Sequence, residues 1–295
     1  RDLPPLIKVL EIHSRADLAL FSRYLTTQGV RHRLTEEGLN QVLWAESEAG
    51  ATFARLAFEK YQAGELQIQD VDESGSFLAG LSAALRRYPL TLALITLNVL
   101  LFPVGMGSGQ LDSDSLFARL MLLEIRQMGD DYYFVPLDQT LAHGEWWRLL
   151  TPMFIHFSWL HIVFNLLWVW EIGRRIEAIN GAFTLFWLAL FASAAANVLQ
   201  YLMIGPALFG GMSGVVFGLL GFSLVWSRLI PERSMGVARG IYIFMLVYLA
   251  VGFTGVIDLL GLGNLANGAH LGGLLAGLVT AGLAVLLYRR QRPVR

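Results

Sequence analysis

The feature that most constrains this chain is a succession of long apolar runs that begins near Leu90. Six runs follow one another, near residues 90–104, 153–172, 181–204, 212–227, 240–261 and 266–288. Most are long enough to cross about 30 Å of hydrocarbon as a helix. Backbone polar groups have no water to bond inside a bilayer, so such runs favour helices. The sequence therefore predicts a mostly α membrane protein with a bundle of six transmembrane helices.

The composition agrees with a membrane protein. Of the 295 residues, 55% are hydrophobic and 15% are charged, whereas about a quarter of a soluble domain is charged. A net charge of -1 provides no basic face to release counterions, which argues against nucleic acid as a partner. The absence of cysteine excludes disulfides, thiol nucleophiles and thiolate metal sites. The expected surroundings of most of the chain are the lipid bilayer.

Basic residues fall at alternate ends of the apolar runs, and the other connections are acidic or almost uncharged. The basic positions are Arg86, Arg87, Arg174, Arg175, Arg228, Arg233, Arg239, Arg289 and Arg290. By the positive-inside rule, both termini are expected on the cytoplasmic side. The chain starts at Arg1 without an initiator methionine, and we take this position as a truncation boundary.

Residues 1–70 read as a small soluble α/β domain with the order βαββα. Leu6–Ile12 resembles a strand, and the next segment is helical to about Gln28, with Ser14 as its cap. Val30–Leu34 and Leu39–Ala45 predict a hairpin, and helical spacing follows in Ala51–Gln62. We expect a linker at 71–88, the transmembrane domain at 89–290 and a cytosolic tail at 291–295.

The connection from about Gly105 to Trp147 is too long for a simple turn. Helical spacing in Leu116–Met128 and the nearby Tyr132 and Tyr133 predict a partly helical segment at the outer interface, where aromatic residues are favoured. A disordered loop is the alternative.

Ser213 stands at the head of an unusually short fourth run, in Gly211-Met212-Ser213-Gly214. Counting back from Arg228 at the cytoplasmic surface covers about 22 Å of helix, against about 30 Å of hydrocarbon. Ser213 is therefore expected below the outer surface, after a loop that dips to membrane depth. Such a loop is tolerated only inside protein or beside a wet cavity. Alternatively, Ser213 only bonds back to the carbonyl four residues earlier.

His270 opens the sixth run, and glycines provide a way for it to meet Ser213. Gly210, Gly214 and Gly218 recur every fourth residue, as do Gly273 and Gly277. Faces of small residues let two helix backbones approach closely, so the fourth and sixth runs can pack together. A serine beside a neutral imidazole provides the nucleophile and the general base that acyl transfer requires. Alternatively, the glycines serve packing alone and His270 is a buried imidazole bonded to backbone.

His161 and Asn165 are four residues apart at the outer start of the second run, hence on one helical face. Both can donate hydrogen bonds. Together with the backbone N–H of Ser213 they could bind the oxyanion that develops during acyl transfer. Hydrogen bonding between helices is the simpler alternative for this pair.

Other intramembrane protease chemistries fit less well. A zinc protease requires a ligand set such as H-E-x-x-H, which the sequence lacks. His156 and His161 are five apart and would diverge by about 140° on a helix. Aspartyl chemistry needs two carboxylates, and Asp258 is alone within the apolar runs. We therefore expect no metal and no cofactor.

These residues resemble the rhomboid intramembrane serine proteases, in particular the bacterial GlpG-type members. The matching motifs are Gly211-Met212-Ser213-Gly214, Ala269-His270 with Gly273 and Gly277, His161 with Asn165, Trp147-Arg148, and Glu171 to Gly181 with Gly173 and Glu177. The resemblance covers about residues 85–290, and the leading segment is similar to the cytosolic domain of GlpG-type members. It implies a multi-pass protein of the bacterial inner membrane.

The resemblance also implies residue roles. Ser213 and His270 form a dyad without a third acid, next to Gly211, while His161, Asn165 and the Ser213 amide bind the oxyanion. Trp147 and Arg148 anchor the outer loop, and Glu177 holds the cytoplasmic end. Substrate helices of other membrane proteins enter between spans two and five, past Phe164 and Tyr248.

Two positions depart from the family pattern. Phe217 stands where relatives often have tyrosine; it can still stack on His270 but has no hydroxyl. Pro152 replaces a common histidine. Neither departure removes the nucleophile, base or oxyanion donors, so the sequence predicts an intramembrane serine endopeptidase. An inactive rhomboid-like scaffold that binds transmembrane helices is the alternative, although it would be expected to lack the serine or histidine. A transporter would require repeated halves, which the sequence does not show.

Overall fold

The computed structural model of the chain describes residues 7–13, 18–37, 40–66, 68, 80, 82–107, 113–129, 131–256 and 265–290. The chain divides into two compact units, Arg1–Leu81 and Ser82–Arg295. The predictions for Ser14, Asp258, most of the linker and the tail at 291–295 lie outside the described residues. The predicted domain boundaries remain predictions.

The first unit has the predicted βαββα order. Its elements are β1 (Ile7–His13), α1 (Ala19–Thr27), β2 (His32–Glu37), β3 (Asn40–Ala45) and α2 (Glu48–Gln62). The three strands form an antiparallel sheet in the order β1-β3-β2. Ser47 caps α2, because its side chain accepts a hydrogen bond from the N–H of Gly50. Phe21, Leu25 and Leu43 are fully buried between the helices and the sheet.

The second unit is mostly helical. In chain order its elements are α3 (Pro89–Met106), α4 (Leu116–Leu120), β4 (Ile125–Met128), β5 (Asp131–Phe134), α5 (Leu137–Ala142), α6 (Trp159–Trp168), a π-helical turn (Val169–Gly173), α7 (Arg174–Asn180), α8 (Ala182–Ile204), α9 (Ser213–Leu229), α10 (Arg239–Gly252) and α11 (Asn267–Arg290). Short 3-10 turns precede α6 at Trp146–Leu149 and Thr151–Phe154.

Three described helices are long and apolar enough to cross a membrane: α3, α8 and α11. Two shorter apolar helices, α9 and α10, coincide with the fourth and fifth predicted runs. The second run is helical from Trp159 to Asn180 but passes through the π-helical turn. Each predicted run therefore contains a helix, while the count of six crossings remains a prediction.

The connection between α3 and α6 is only partly helical. The helix predicted by the spacing in Leu116–Met128 ends at Leu120, and the expectation of helix beyond that point is wrong. Residues 125–128 instead pair with 131–134 as an antiparallel hairpin. Gly129, at φ +66°, adopts the left-handed conformation that this tight turn requires. The turn therefore overrides the helical pattern.

Glycines set the distance between α9 and α11. A Cβ atom on Gly273 would lie 1.8 Å from the carbonyl oxygen of Gly214, and one on Gly277 would lie 2.0 Å from that of Gly218. The predicted close approach of the two helices is therefore present. Gly210 is the exception, because it precedes α9 and packs against the carbonyl oxygen of Pro152 instead. Its assignment to the same helix face was wrong.

Candidate active site

Ser213 is the first residue of α9, directly after the non-helical segment 205–212. The N–H groups of a first helical turn have no partner within the helix and carry partial positive charge. Gly210, Gly211 and Ser213 are half-buried, whereas Met212 and Gly214 are buried. Ser213 is therefore only half-buried and lies beside backbone N–H groups that can donate hydrogen bonds.

His270 lies in the first turn of α11 and meets Ser213 through its ring. Its Nε2 atom is 3.0 Å from the Oγ atom of Ser213, and only 3% of the residue is exposed. Ser213 can donate to Nε2 only in the tautomer that carries its proton on Nδ1. Among the described residues, Nδ1 has no hydrogen-bond partner. The pair therefore has the geometry of a nucleophile and its general base.

Two aromatic rings hold the imidazole in place. The ring of Phe217 stacks on His270, with centroids 4.8 Å apart and planes at 29°. Tyr248, from α10, approaches it to 6.0 Å at 40°. Phe217 is four residues after Ser213 and so lies on the same face of α9. The stacking expected from the sequence is present, and the contribution of Tyr248 was not expected.

Of the predicted oxyanion donors, His161 lies directly against Gly211. A Cβ atom on Gly211 would be 2.5 Å from Cε1 and 2.6 Å from Nε2 of His161, so only glycine leaves room for that imidazole. Gly211 also has φ +117°, which side chains rarely adopt. Asn165 donates from Nδ2 to the carbonyl oxygen of His161 at 2.9 Å. This contact uses one of the two N–H bonds on that nitrogen.

His156 is a site residue that the sequence did not reveal. It is fully buried, and its Nε2 accepts a hydrogen bond from the backbone N–H of Met212 at 3.2 Å. Its ring centroid lies 4.9 Å from that of His161. The expected divergence of the two histidines is wrong because His156 lies in the bend before α6, which begins only at Trp159. His156 therefore holds the residue that precedes the nucleophile.

Polar residues of α8 border a small cavity beside Ser213. The cavity has a volume of about 10 Å³, and Ser193 and Asn197 lie in its wall. This volume suits roughly one water molecule. Nearby, Gln200 accepts a hydrogen bond at 3.0 Å from the N–H of Ala269, the residue before His270. α8 thus lies beside Ser213 and also bonds to the backbone next to His270.

Glu177 ties the end of α7 to the start of α3. Its carboxylate accepts bonds from the N–H groups of Leu90 and Thr91, each at 2.8 Å, and from the Thr91 hydroxyl at 2.6 Å. These are donors that the first turn of α3 leaves unpaired. The hydrogen bonding expected of Glu177 is present, and it links two helices rather than contacting the Ser213–His270 pair.

Arg148 and Trp147 anchor the connection between α3 and α6. The guanidinium of Arg148 is buried and donates to the carbonyl oxygens of Ala118 and Met121, at 2.5 Å and 2.9 Å. It also pairs with Glu145 at 2.6 Å. The indole N–H of Trp147 donates at 3.2 Å to the carbonyl oxygen of Arg119. Both side chains therefore fix α4 against the chain that leads into α6.

Electrostatics stabilise the same connection. Burial opposes ionisation of the Glu124 carboxyl, but hydrogen bonds and charges from Arg126 and His143 outweigh it and hold its pKa below the ordinary value. Because this folded-state pKa is depressed, the contribution to stability is present above about pH 4.5 and is lost as the pH falls through the folded pKa.

The predicted gate residues occupy α6 and α10. Phe164 is 49% exposed. Tyr248 stacks on Phe244 at 6.5 Å, and Phe244 approaches Trp168 of α6 at 6.3 Å. Trp168 of α6 is therefore connected by ring contacts through Phe244 and Tyr248 of α10 to the ring of His270.

A metal site is not indicated. No group of three or more His, Cys, Asp or Glu side chains is arranged to hold an ion within the part of the chain that the structure describes.

Comparison with known proteins finds matching family profiles and relatives that cover most of the chain. Residues 143–287 match the profile of the Rhomboid domain, and residues 5–71 match that of the Rhomboid N-terminal domain. The chain is 30% identical over 293 residues to "Rhomboid protease GlpG" of Serratia proteamaculans, covering 94% of this chain and 96% of the relative. It is 31% identical over 290 residues to "Rhomboid protease GlpG" of Photorhabdus laumondii, covering 94% and 95%.

Proposed function

The chain belongs to the rhomboid family of intramembrane serine proteases, and from this premise we propose that it cleaves transmembrane helices of other membrane proteins through Ser213 and His270. The observation that carries the proposal is the 3.0 Å contact between Ser213 Oγ and His270 Nε2. A serine and an imidazole at this distance can exchange a proton as the serine attacks.

The reaction follows from the contacts around the pair. His270 Nε2 takes the proton of Ser213 while Oγ attacks a peptide carbonyl, and the same imidazole then returns the proton to the leaving amine. The backbone N–H of Ser213, together with His161 and Asn165, stabilises the charge that develops on the carbonyl oxygen. A water molecule from the small cavity beside Ser193 and Asn197 hydrolyses the acyl-enzyme.

The membrane arrangement is part of the proposal. Six helices cross the bacterial inner membrane with both termini in the cytoplasm, and the cut lies near the outer face. Substrate helices enter between α6 and α10, past Phe164 and Tyr248. Peptide bonds in a helix are shielded by their own hydrogen bonds, so the substrate must unwind locally. Helices weakened by Gly, Pro or polar residues are the favoured substrates.

Proteolysis by purified variants tests the residue roles. Wild type, Ser213→Ala and His270→Ala are compared in detergent on a substrate that contains a transmembrane helix. We expect each substitution to lower the cleavage rate about 1,000-fold or more, because nucleophile and base act as one unit. Undiminished cleavage by either variant would overturn the proposal.

The second candidate function is a non-cleaving scaffold that binds transmembrane helices. It predicts substrate binding without covalent chemistry at Ser213. Labelling with a fluorophosphonate separates the two functions, because the probe reacts only with an activated serine. A labelled wild type and an unlabelled His270→Ala variant support the protease. Equal labelling of both would show that His270 is not the base.

A further inference from the structure

Two arginines flank a pair of aromatic rings where α3 begins and where the π-helical turn leads into α7. The guanidinium carbon of Arg87 lies 5.6 Å from the ring centroid of Tyr88. That ring meets the indole of Trp170 edge-on, at 6.0 Å and 85°. The guanidinium carbon of Arg174 lies 5.4 Å from the Trp170 centroid. We call these four residues the Arg–aromatic cluster.

The cluster carries excess positive charge. Arg86 and Arg175 adjoin it in sequence, which gives four guanidinium groups in all. Two carboxylates lie in the same stretch of chain as Arg174 and Arg175. Glu171 pairs with Arg174 at 3.0 Å and with Arg175 at 2.5 Å, and Glu177 accepts bonds from the start of α3. Four cations and two anions leave two positive charges for an external anion.

One guanidinium donor of the cluster is not used by the described residues. The Nε atom of Arg174 is buried and has no hydrogen-bond partner among the described residues, although 28% of the side chain is exposed. An acceptor oxygen that reached this donor would offset its desolvation. Arg87 is exposed. Planar guanidinium groups match the oxygens of a phosphate.

Apolar surface continues from the cluster along α6. Leu167, one helical turn before Trp170, is 52% exposed, and Phe164 is 49% exposed. Tyrosine and tryptophan rings favour the level of the lipid headgroups. A ligand that fits has an anionic phosphate beside the arginines and a long apolar chain against α6. Basic clusters at the cytoplasmic ends of membrane helices bind such headgroups.

We propose that the Arg–aromatic cluster binds the phosphate headgroup of an anionic phospholipid. Arg87 and Arg174 contact the phosphate oxygens, Tyr88 and Trp170 lie at the headgroup level, and one acyl chain follows Leu167. The proposal rests on the membrane placement given above and is independent of the chemistry at Ser213.

Native mass spectrometry of the full chain in a neutral detergent tests the site. Binding of phosphatidylglycerol is compared with that of phosphatidylcholine for wild type and for the double variant Arg87→Gln, Arg174→Gln. The control variant Arg289→Gln, Arg290→Gln removes the same charge from the end of α11. We expect affinity for phosphatidylglycerol to fall about tenfold or more in the first variant and less than about twofold in the control.

Several results would overturn the proposal. Equal losses in the two double variants would mean that only diffuse charge matters. Competition by glycerol phosphate at the lipid's own concentration would indicate a site for a free phosphate. Binding of phosphatidylcholine as tight as that of phosphatidylglycerol would show that the negative charge of the headgroup does not contribute to binding. If the glutamine variant does not fold, Arg87→Lys with Arg174→Lys replaces it; this variant keeps the charge and loses the planar fork, so an undiminished affinity would likewise overturn the proposal.

Fluorophosphonate labelling provides the folding check. Neither arginine contacts the Ser213–His270 pair, so both double variants should label at the wild-type rate. Absent labelling of the wild type would refute the protease chemistry and leave the lipid measurement intact. Selective loss of lipid binding with normal labelling supports the site.

Discussion

His270 is oriented by packing instead of by a carboxylate. In a Ser-His-Asp triad, an acid bonds to Nδ1 and fixes the tautomer. Here Nδ1 is buried without a partner among the described residues, and the rings of Phe217 and Tyr248 lie against the imidazole. Stacking on Phe217 fixes the plane of the imidazole ring. The contact with Ser213 fixes which ring nitrogen points towards the hydroxyl. In the proposed mechanism, a neutral imidazole held in this way acts as the base in a mostly apolar pocket.

His156 should matter for catalysis although it does not touch Ser213. Replacing it by alanine leaves the buried N–H of Met212 without its acceptor, which costs about 1–3 kcal/mol and loosens the residue next to the nucleophile. We expect His156→Ala to label with a fluorophosphonate about tenfold more slowly. His143→Ala, at an exposed histidine of the connection between α3 and α6, should label normally. An unchanged rate for His156→Ala would limit this histidine to a packing role.

The sequence identified the residues whose position follows from helix geometry. Ser213 and His270 stand at the heads of apolar runs, and Phe217 is one helical turn after Ser213. His156 was missed because the apolar run beginning near residue 153 was treated as continuous helix. The 3-10 turn at Thr151–Phe154 and the bend after it place its ring where no helical spacing predicts.

At the level of helices, α9 and α11 depend on the absence of side chains between them. A methyl group on Gly273 would lie 1.8 Å from the carbonyl oxygen of Gly214, while one on Gly282, farther along α11, would meet nothing within 4 Å. Both substitutions favour helix equally. Comparing Gly273→Ala with Gly282→Ala therefore distinguishes an effect on interhelical packing from an effect on helix propensity.

Gly273→Ala is expected to separate the catalytic helices. Overpacking of this kind costs about 1–3 kcal/mol or more, because the new methyl group would clash with the backbone of Gly214, which cannot rotate away as a side chain could. We predict a lower thermal unfolding midpoint and strongly reduced fluorophosphonate labelling. Gly282→Ala should match wild type in both measurements. Equal behaviour of the two variants would contradict the close approach of α9 and α11.

Glu177 acts as a link between helices, and its charge should be essential to that link. Glu177→Gln keeps the shape but replaces one acceptor oxygen by an N–H2 group that faces the donors of Leu90 and Thr91. Charge-assisted bonds are about twice as strong as neutral ones, so we expect a loss of roughly 2–3 kcal/mol in unfolding free energy. Asp138→Asn, at an exposed acid of α5, is the control and should change stability by less than about 1 kcal/mol. Similar losses in both variants would show that Glu177 is not a special link.

At the scale of the whole molecule, each unit has a hydrophobic core built from its own stretch of sequence. Buried residues of the first unit, including Phe21, Leu25 and Leu43, form one cluster. Leu220 and Phe222 belong to another that is built entirely from the second unit. The hydrophobic periodicity and the turn residues of the first 70 positions predicted the βαββα order. Each short helix or strand there has one buried face, so its apolar residues recur with the spacing typical of that element. The structure of the long connection after α3 was harder to predict from sequence. Its residues have helical spacing, but the turn at Gly129 makes part of it a β-hairpin instead.

Separate cores predict separate responses to damage. Leu43 and Leu220 are both fully buried, and truncating either to alanine costs about 2–5 kcal/mol. We expect Leu43→Ala to accelerate hydrogen exchange in peptides from β3 and α2, with no change in α9 or in the labelling rate of Ser213. Leu220→Ala should do the reverse, accelerating exchange in α9 and slowing labelling. Exchange that rises in both units after either substitution would show that the two cores unfold as one cooperative structure, and that the first unit contributes to the stability of the catalytic helices.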